Sequence, residues 1–255
     1  MNVLSLFDGI SCGQVALERA GIKVDTYYAS EVDKYAIKVT MKNYPNTIQS
    51  GDICNIHGSD LPKIDLLIGG SPCQGFSFAG KQLNFDDPRS KLFFEYVRLL
   101  KECNPKYFLL ENVKMKKEYQ DIISKELGVE PIEINSSLAS AQNRKRLYWT
   151  NISDVKQPQD RGIMFGKMLY RLPHGYVTAA NIFYSKYPAL AAQSPESKYL
   201  LVEGDGRRKL TPLECEQLQT LPENYTSTIS NTQRYKCIGN GWTVDIIAHI
   251  FRNIK

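Results

Sequence analysis

Nowhere in the 255 residues does an apolar run approach the roughly 20 residues that a membrane-spanning helix needs. No internal repeat and no low-complexity stretch interrupts the chain. The amino terminus, Met1-Asn2-Val3-Leu4-Ser5-Leu6-Phe7-Asp8, has no basic region and reaches an acid early, so no secretory leader is expected. These gaps lead to the expectation of a cytoplasmic protein with no membrane partner. The six cysteines, Cys12, Cys54, Cys73, Cys103, Cys215 and Cys237, form no close pairs. That spacing argues against a zinc site or any other metal centre, and against a disulfide framework. Reduced thiols in a reducing compartment fit better.

What is present is the composition of a globular domain, 42% hydrophobic and 23% charged. The length allows one large domain or a domain with a smaller companion. A net charge of +5 is modest but uneven, because between Asp154 and Lys209 nine basic residues stand against five acids. Alone, that bias favours an anionic partner only weakly.

In chain order the pattern is that of an α/β fold. Residues 3–7 read as a strand, Asp8-Gly9-Ile10-Ser11-Cys12-Gly13 as a tight turn, and residues 14–20 as a helix. Such a turn lets a backbone approach a ligand, and the free N–H groups at the helix start attract carboxylate or phosphate. A second strand, 26–30, ends at Glu31, about 20 residues after the turn, where an acid can hold two ribose hydroxyls. A third, 47–50, ends near Asp52, which can accept from an adenine amino group while Val32 and Ile53 sandwich the ring. Taken singly, Glu31 and Asp52 have helix capping as their alternative role. The turn lacks the G-x-G-x-x-G fingerprint, which disfavours a nicotinamide-linked dehydrogenase.

Residues 64–68 read as a buried strand that delivers Gly69-Gly70-Ser71-Pro72-Cys73-Gln74-Gly75-Phe76-Ser77 to the carboxyl edge of the sheet. In open α/β sheets that edge is where ligands bind. A thiol between a rigid proline and a glycine is a candidate nucleophile there, although a free cysteine is as often a small buried hydrophobe. Residues 89–100 have helical spacing and 107–110 form another strand, ending at Glu111-Asn112-Val113 on the same edge. A surface helix over 116–127 stops at Gly128, and a strand over 131–135 precedes Gln142-Asn143-Arg144-Lys145-Arg146. In an extended segment Arg144 and Arg146 would point the same way, toward the site and its phosphates. Order weakens from 152 to 208. Thr211 then caps a helix with Pro212 at its first position and Glu214 completing a capping box, and this helix is expected to close at Leu221-Pro222. The segment from Tyr235 to Trp242 leads into a last helix over 244–254.

The wording of the Cys73 stretch resembles the catalytic loop of DNA cytosine-5 methyltransferases, and Glu111-Asn112-Val113, the Gln-x-Arg-x-Arg block and the terminal segment match further blocks of that family in order. Phe7-Asp8-Gly9-Ile10 and Ala29-Ser30-Glu31-Val32 are similar to the wording of the animal de novo enzymes rather than the commonest bacterial form. The resemblance implies a Rossmann-like S-adenosylmethionine-dependent methyltransferase sheet over residues 1–152, a short irregular target-recognition region over 153–208, and a segment, 209–255, that returns to the catalytic domain. It implies S-adenosylmethionine held by Phe7, Asp8, Gly9, Ile10, Glu31, Val32, Asp52, Ile53, Ser71, Pro72, Leu92, Asn240 and Trp242. Cys73, Glu111, Arg144 and Arg146 would be catalytic, and Gln74, Ser77, Gln142, Arg144, Arg207 and Arg208 would meet DNA. Cys73 would add to carbon 6 of a flipped cytosine while Glu111, protonated or sharing a proton, supports nitrogen 3. The partner so implied is double-stranded DNA, acted on by a monomer, with a cognate restriction endonuclease as a possible companion. The rival readings are an RNA (transfer-RNA) cytosine-5 methyltransferase and a non-catalytic DNA-binding relative.

Overall fold

Strand β1 (Asn2–Leu6) runs through the middle of the molecule because its side chains alternate between two separate cores. Val3 joins one with Leu66, Ile68 and Leu109, and Leu4 and Leu6 join the other with Leu67 and Leu110. A sheet buried on both faces must read as near-continuous apolar runs, which is how β1 and β4 (Leu66–Gly69) are written. The computed structural model describes residues 1–72, 88–164, 187–188, 200–203 and 206–255, with the backbone alone for 88–90, 187–188, 200–203 and 206–209.

The main sheet has seven strands in the order β3-β2-β1-β4-β5-β8-β6. Here β2 is Thr26–Ser30, β3 Ile48–Gln49, β5 Tyr107–Val113, β6 Ile132–Asn135 and β8 Lys145–Thr150. The first five strands are parallel, and β8 runs antiparallel to both β5 and β6. Chain order reverses between β1 and β4, the switch point at which such sheets open a crevice. Because β8 is antiparallel, it begins at the edge where β5 ends. One face is covered by α1 (Cys12–Ala20), α2 (Lys34–Asn43) and the C-terminal helix α7 (Val244–Phe251), the other by α3 (Pro88–Cys103) and α4 (Lys117–Leu127). The last segment packs on α1, and Asp245 of α7 pairs with Arg19 at 2.7 Å.

Several boundaries follow their sequence signals. Gly128 ends α4 at φ 70°, a conformation open to glycine. Thr211 and Glu214 form the reciprocal capping box at the start of α5 (Pro212–Leu218). The expected end of α5 at Leu221-Pro222 is corrected to Leu218, because Thr220 takes a left-handed φ of 54° that no helix continues through. The stretch before Trp242 is also corrected: it is a helix, α6 (Asn231–Asn240), and α7 ends at Phe251 rather than 254. The interval from 152 to 208 contains regular backbone, with β9 (Tyr187–Pro188) beside β7 (Gln142–Asn143) and a hairpin of β10 (Leu200–Glu203) with β11 (Gly206–Lys209). Among the described residues no helix is long and apolar enough to cross a membrane.

Candidate active site

At the end of β1 the chain turns sharply, with Phe7, Gly9 and Ser11 at φ 57°, 59° and 56°. The Asp8 N–H donates to Ser30 O at 3.0 Å, and the Gly9 N–H to Glu31 Oε2 at 2.8 Å. Glu31 Oε1 accepts from the N–H groups of Val32 and Asp33 at 2.7 and 2.8 Å, so one carboxylate ties the turn to the loop after β2. A carboxylate has about four lone-pair sites, which leaves acceptor capacity toward the open side. The Asp8 carboxylate accepts from the hydroxyls of Ser11 and Tyr27, the latter at 2.8 Å. Burial pushes the Asp8 carboxyl up to about 6, against the opposing effect of these hydroxyls.

The surface over these strand ends is open. A Cβ at Gly9 or Gly51 would meet nothing within 4 Å, and Val32 is 71% exposed. Asp52 is exposed; its Oδ1 caps the following 3-10 turn by accepting from the Cys54 N–H at 3.0 Å. The capping role and an outward acceptor therefore coexist. Ile10 and Ile53 are buried core residues, so their side chains lie beneath this surface, and of the expected sandwich Val32 supplies the exposed member.

The ends of β4, β5 and β8 form the second half of the cluster. Glu111 lies opposite Tyr148 across β5 and β8, and Val113 lies opposite Arg146. Arg146 Nε stands 3.0 Å from Glu111 Oε1, with both side chains mostly buried. Asn112, from the neighbouring position of β5, donates to Ser71 Oγ at 3.2 Å and Ser71 O at 3.4 Å, fixing the backbone that leads into Pro72. Leu92 is half-buried against the α3 core. Cys73, Gln74 and Ser77 lie outside the described residues. Each of the five described cysteines has its thiol pushed up, with burial as the first cause; Cys12 and Cys215 reach about 12. None of those five has the lowered thiol that marks an activated nucleophile.

Alternation in the Gln-x-Arg-x-Arg block is as expected, with Asn143 and Lys145 exposed and the other three turned inward. What they face differs. Gln142 has no exposed surface and donates to Leu218 O at 3.1 Å and Gln219 Oε1 at 3.2 Å. Arg144 is 4% exposed and donates to Gly239 O at 3.2 Å and Gly241 O at 3.1 Å. The bonds described for Gln142 and Arg144, both expected to meet DNA, go to the C-terminal segment. Arg207 and Arg208 fall on β11, whose backbone alone is described. Arg161, from the basic interval, pairs with Asp245 at 2.5 Å.

Trp242 is 9% exposed and its indole spans the two halves of the cluster. A Cβ at Gly13 would lie 3.7 Å from Trp242 Cζ3, and one at Gly70 would lie 3.0 Å from Trp242 Nε1 and 3.2 Å from Glu111 Oε2. Asn240 is exposed beside it. Sequence reasoning missed Tyr225, whose hydroxyl donates to Ile10 O at 2.7 Å and braces the turn, and Gln219 with Thr243, which hold the last segment. A buried tyrosine or glutamine carries no local pattern that would have found it.

Sheet order, switch-point turn and strand-end acids together define a Rossmann-like methyltransferase fold, and solved structures share it. A DNA modification methyltransferase encoded in an Escherichia coli prophage superposes with a TM-score of 0.80 at 20% identity, covering 100% of this chain and 98% of its own. The Dnmt2 methyltransferase of S. pombe gives 0.70 at 18%, covering 98% and 96%. The family model for C-5 cytosine-specific DNA methylase matches residues 1–161 and 129–255, so the chain belongs to that family. Type II methyltransferase M1.ScrFI of Lactococcus lactis subsp. cremoris is 32% identical over 96% of this chain and 76% of its own length. Orphan methyltransferase M.SPRI of Bacillus phage SPR is 46% identical over 45% of this chain and 26% of its own.

Proposed function

We propose that the protein transfers a methyl group from S-adenosylmethionine to carbon 5 of a cytosine rotated out of duplex DNA. The observation that carries this reading is the Glu111–Arg146 pair, held 3.0 Å apart at the sheet edge beside the Ser71-Pro72 backbone that leads into Cys73. Family membership supports the substrate, and the open glycine turn with exposed Val32 and the Glu31 carboxylate suits an adenosine cofactor.

Carbon 5 of cytosine is a poor nucleophile. Addition of the Cys73 thiolate to carbon 6 makes carbon 5 electron-rich, and S-adenosylmethionine supplies the methyl group as a sulfonium. Glu111 holds a proton at nitrogen 3 as charge develops on the ring. Arg146 orients Glu111 and offers its remaining N–H groups to the base carbonyl. A solvent water then takes the carbon 5 proton, the freed electron pair restores the 5,6 double bond, and Cys73 leaves carbon 6 as a thiolate. Rotating the base out of the helix costs roughly a few kcal/mol, which the recognition region between 153 and 208 offsets through phosphate contacts. The enzyme would act as a cytoplasmic monomer, beside a cognate restriction endonuclease where one is encoded.

Incubation with tritiated S-adenosylmethionine and equal amounts of duplex DNA and transfer RNA tests this. Label on cytosine 5 of the DNA is expected. Label on transfer RNA alone would move the substrate to RNA, and label on neither would remove the enzymatic reading.

A further inference from the structure

The turn that carries Trp242 has an unusual support. Helix α6 stops at Asn240, where the Gly241 N–H donates to Cys237 O at 3.0 Å and to Ile238 O at 3.1 Å. Two side chains distant in sequence add further donors to the carbonyls of this end. Gln219 Nε2 donates to Ile238 O at 2.9 Å and to Gly241 O at 3.0 Å, while Arg144 takes Gly239 O and shares Gly241 O. Gln219 Oε1 accepts from Thr243 Oγ1 at 2.9 Å and from Gln142 Nε2, and Thr243 Oγ1 in turn accepts from Ser136 Oγ at 2.8 Å. Every hydrogen-bonding position of the Gln219 amide is used, so its two ends cannot be exchanged. The Gln219 carbonyl accepts from the Val244 N–H at 3.0 Å, which adds a backbone tie to the start of α7. Gln219, Ser136, Gln142 and Thr243 are each no more than 2% exposed.

We infer that Gln219 is a positioning residue: by holding the carbonyls of Ile238 and Gly241 it sets the Gly239–Trp242 turn, and so places the Trp242 indole between Gly13 and Gly70. Its effect on the reaction rests on the reading that this edge binds S-adenosylmethionine; its effect on Trp242 does not. Gly241 shows how little slack the turn has, since a Cβ there would lie 3.1 Å from Cys12 Sγ. With the amide gone, Ile238 O keeps the Gly241 N–H and Gly241 O keeps Arg144, but each loses one buried donor, so the turn is held less firmly.

The chain has two tryptophans, so the test is made in a Trp149→Phe background, where Trp242 alone reports. Gln219→Met, of similar volume and without hydrogen bonds, is expected to shift Trp242 emission to longer wavelength and to raise KM for S-adenosylmethionine about tenfold, with kcat changed less than about threefold. Thr243→Val leaves Gln219 in place but removes one of the bonds that orients it; it should move both readings the same way by less, and it serves if Gln219→Met does not fold. Unchanged emission in the folded variants overturns the inference. A shift in emission in a protein that methylates no nucleic acid upholds the positioning role and rejects the proposed function.

Discussion

Glu111 and Arg146 meet across two strands that run in opposite directions, the carboxylate near the end of β5 and the guanidinium at the start of β8, Nε to Oε1 at 3.0 Å. Only an antiparallel strand next to β5 can begin at the edge where β5 finishes. The reversed strand thus joins an arginine to an acid without a loop between sheet and site. With both side chains mostly buried, the pair keeps its geometry before substrate arrives.

Replacing Glu111 with glutamine keeps the shape and removes the acid. Methyl transfer in a single turnover should fall by about 10²–10⁴-fold, the usual range for a lost general acid. S-adenosylmethionine affinity should stay within about twofold, because the cofactor residues lie at other strand ends; calorimetry checks that half. A variant with undiminished transfer would remove Glu111 from the chemistry.

Gly70 stands where Trp242 and Glu111 converge, and a methyl group there would sit 3.0 Å from one and 3.2 Å from the other. Gly70→Ala should lower kcat by about 10–100-fold through displacement of Glu111. Thermal unfolding should change little, since a few tenths of an ångström relieve the contact. Normal turnover in the folded variant would show that neither side chain needs its present place.

Asp8 gives a pH dependence whose sign can be stated. Its carboxyl is raised from 3.8 to about 6, chiefly by burial, so the folded protein holds a proton that the unfolded chain releases between those values. Stability in the absence of cofactor therefore falls as pH rises from about 4 to 6 and then levels, by an amount on the order of 1–3 kcal/mol. Asp8→Asn should abolish that slope, matching the parent at pH 4 and exceeding it at pH 7. Denaturant titrations at both values test this, and parallel curves would contradict it.

Glu31 accepts three N–H groups as well as facing the open surface. Glu31→Ala should weaken S-adenosylmethionine binding at least tenfold and cost roughly 1–3 kcal/mol of stability from the donors left unmet. DNA affinity, measured without cofactor, should stay within about twofold. Loss of DNA binding with cofactor affinity intact would reverse the assignment.

How much of this could be read from the sequence depended on whether a feature is local. The capping box at Thr211 and Glu214 is written in four consecutive residues, and β2 coincides with the segment expected from its apolar pattern. Helix α6 escaped because Asn231–Asn240 is mostly polar and buries only Cys237, Ile238 and Gly239, too few for an apolar stripe. The alternation of Gln142, Arg144 and Arg146 was legible, but not what their face would meet. For Gln142 and Arg144 that surface is made by residues 218–219 and 239–241, which arrive from the far end of the chain. The placement of Glu31 and Asp52 as acids at strand ends was legible; of the two, Asp52 also caps the following turn, while Asp33 rather than Glu31 caps α2.

The account stands on a bond between Cys73 and a cytosine. A duplex carrying 5-fluorocytosine at a site the protein methylates cannot lose its carbon 5 substituent, so the adduct should persist. With S-adenosylmethionine present, a protein–DNA complex that survives denaturing electrophoresis is expected, and Cys73→Ala should form none. Absence of that complex at a methylated site, or its formation by the alanine variant, would contradict the mechanism.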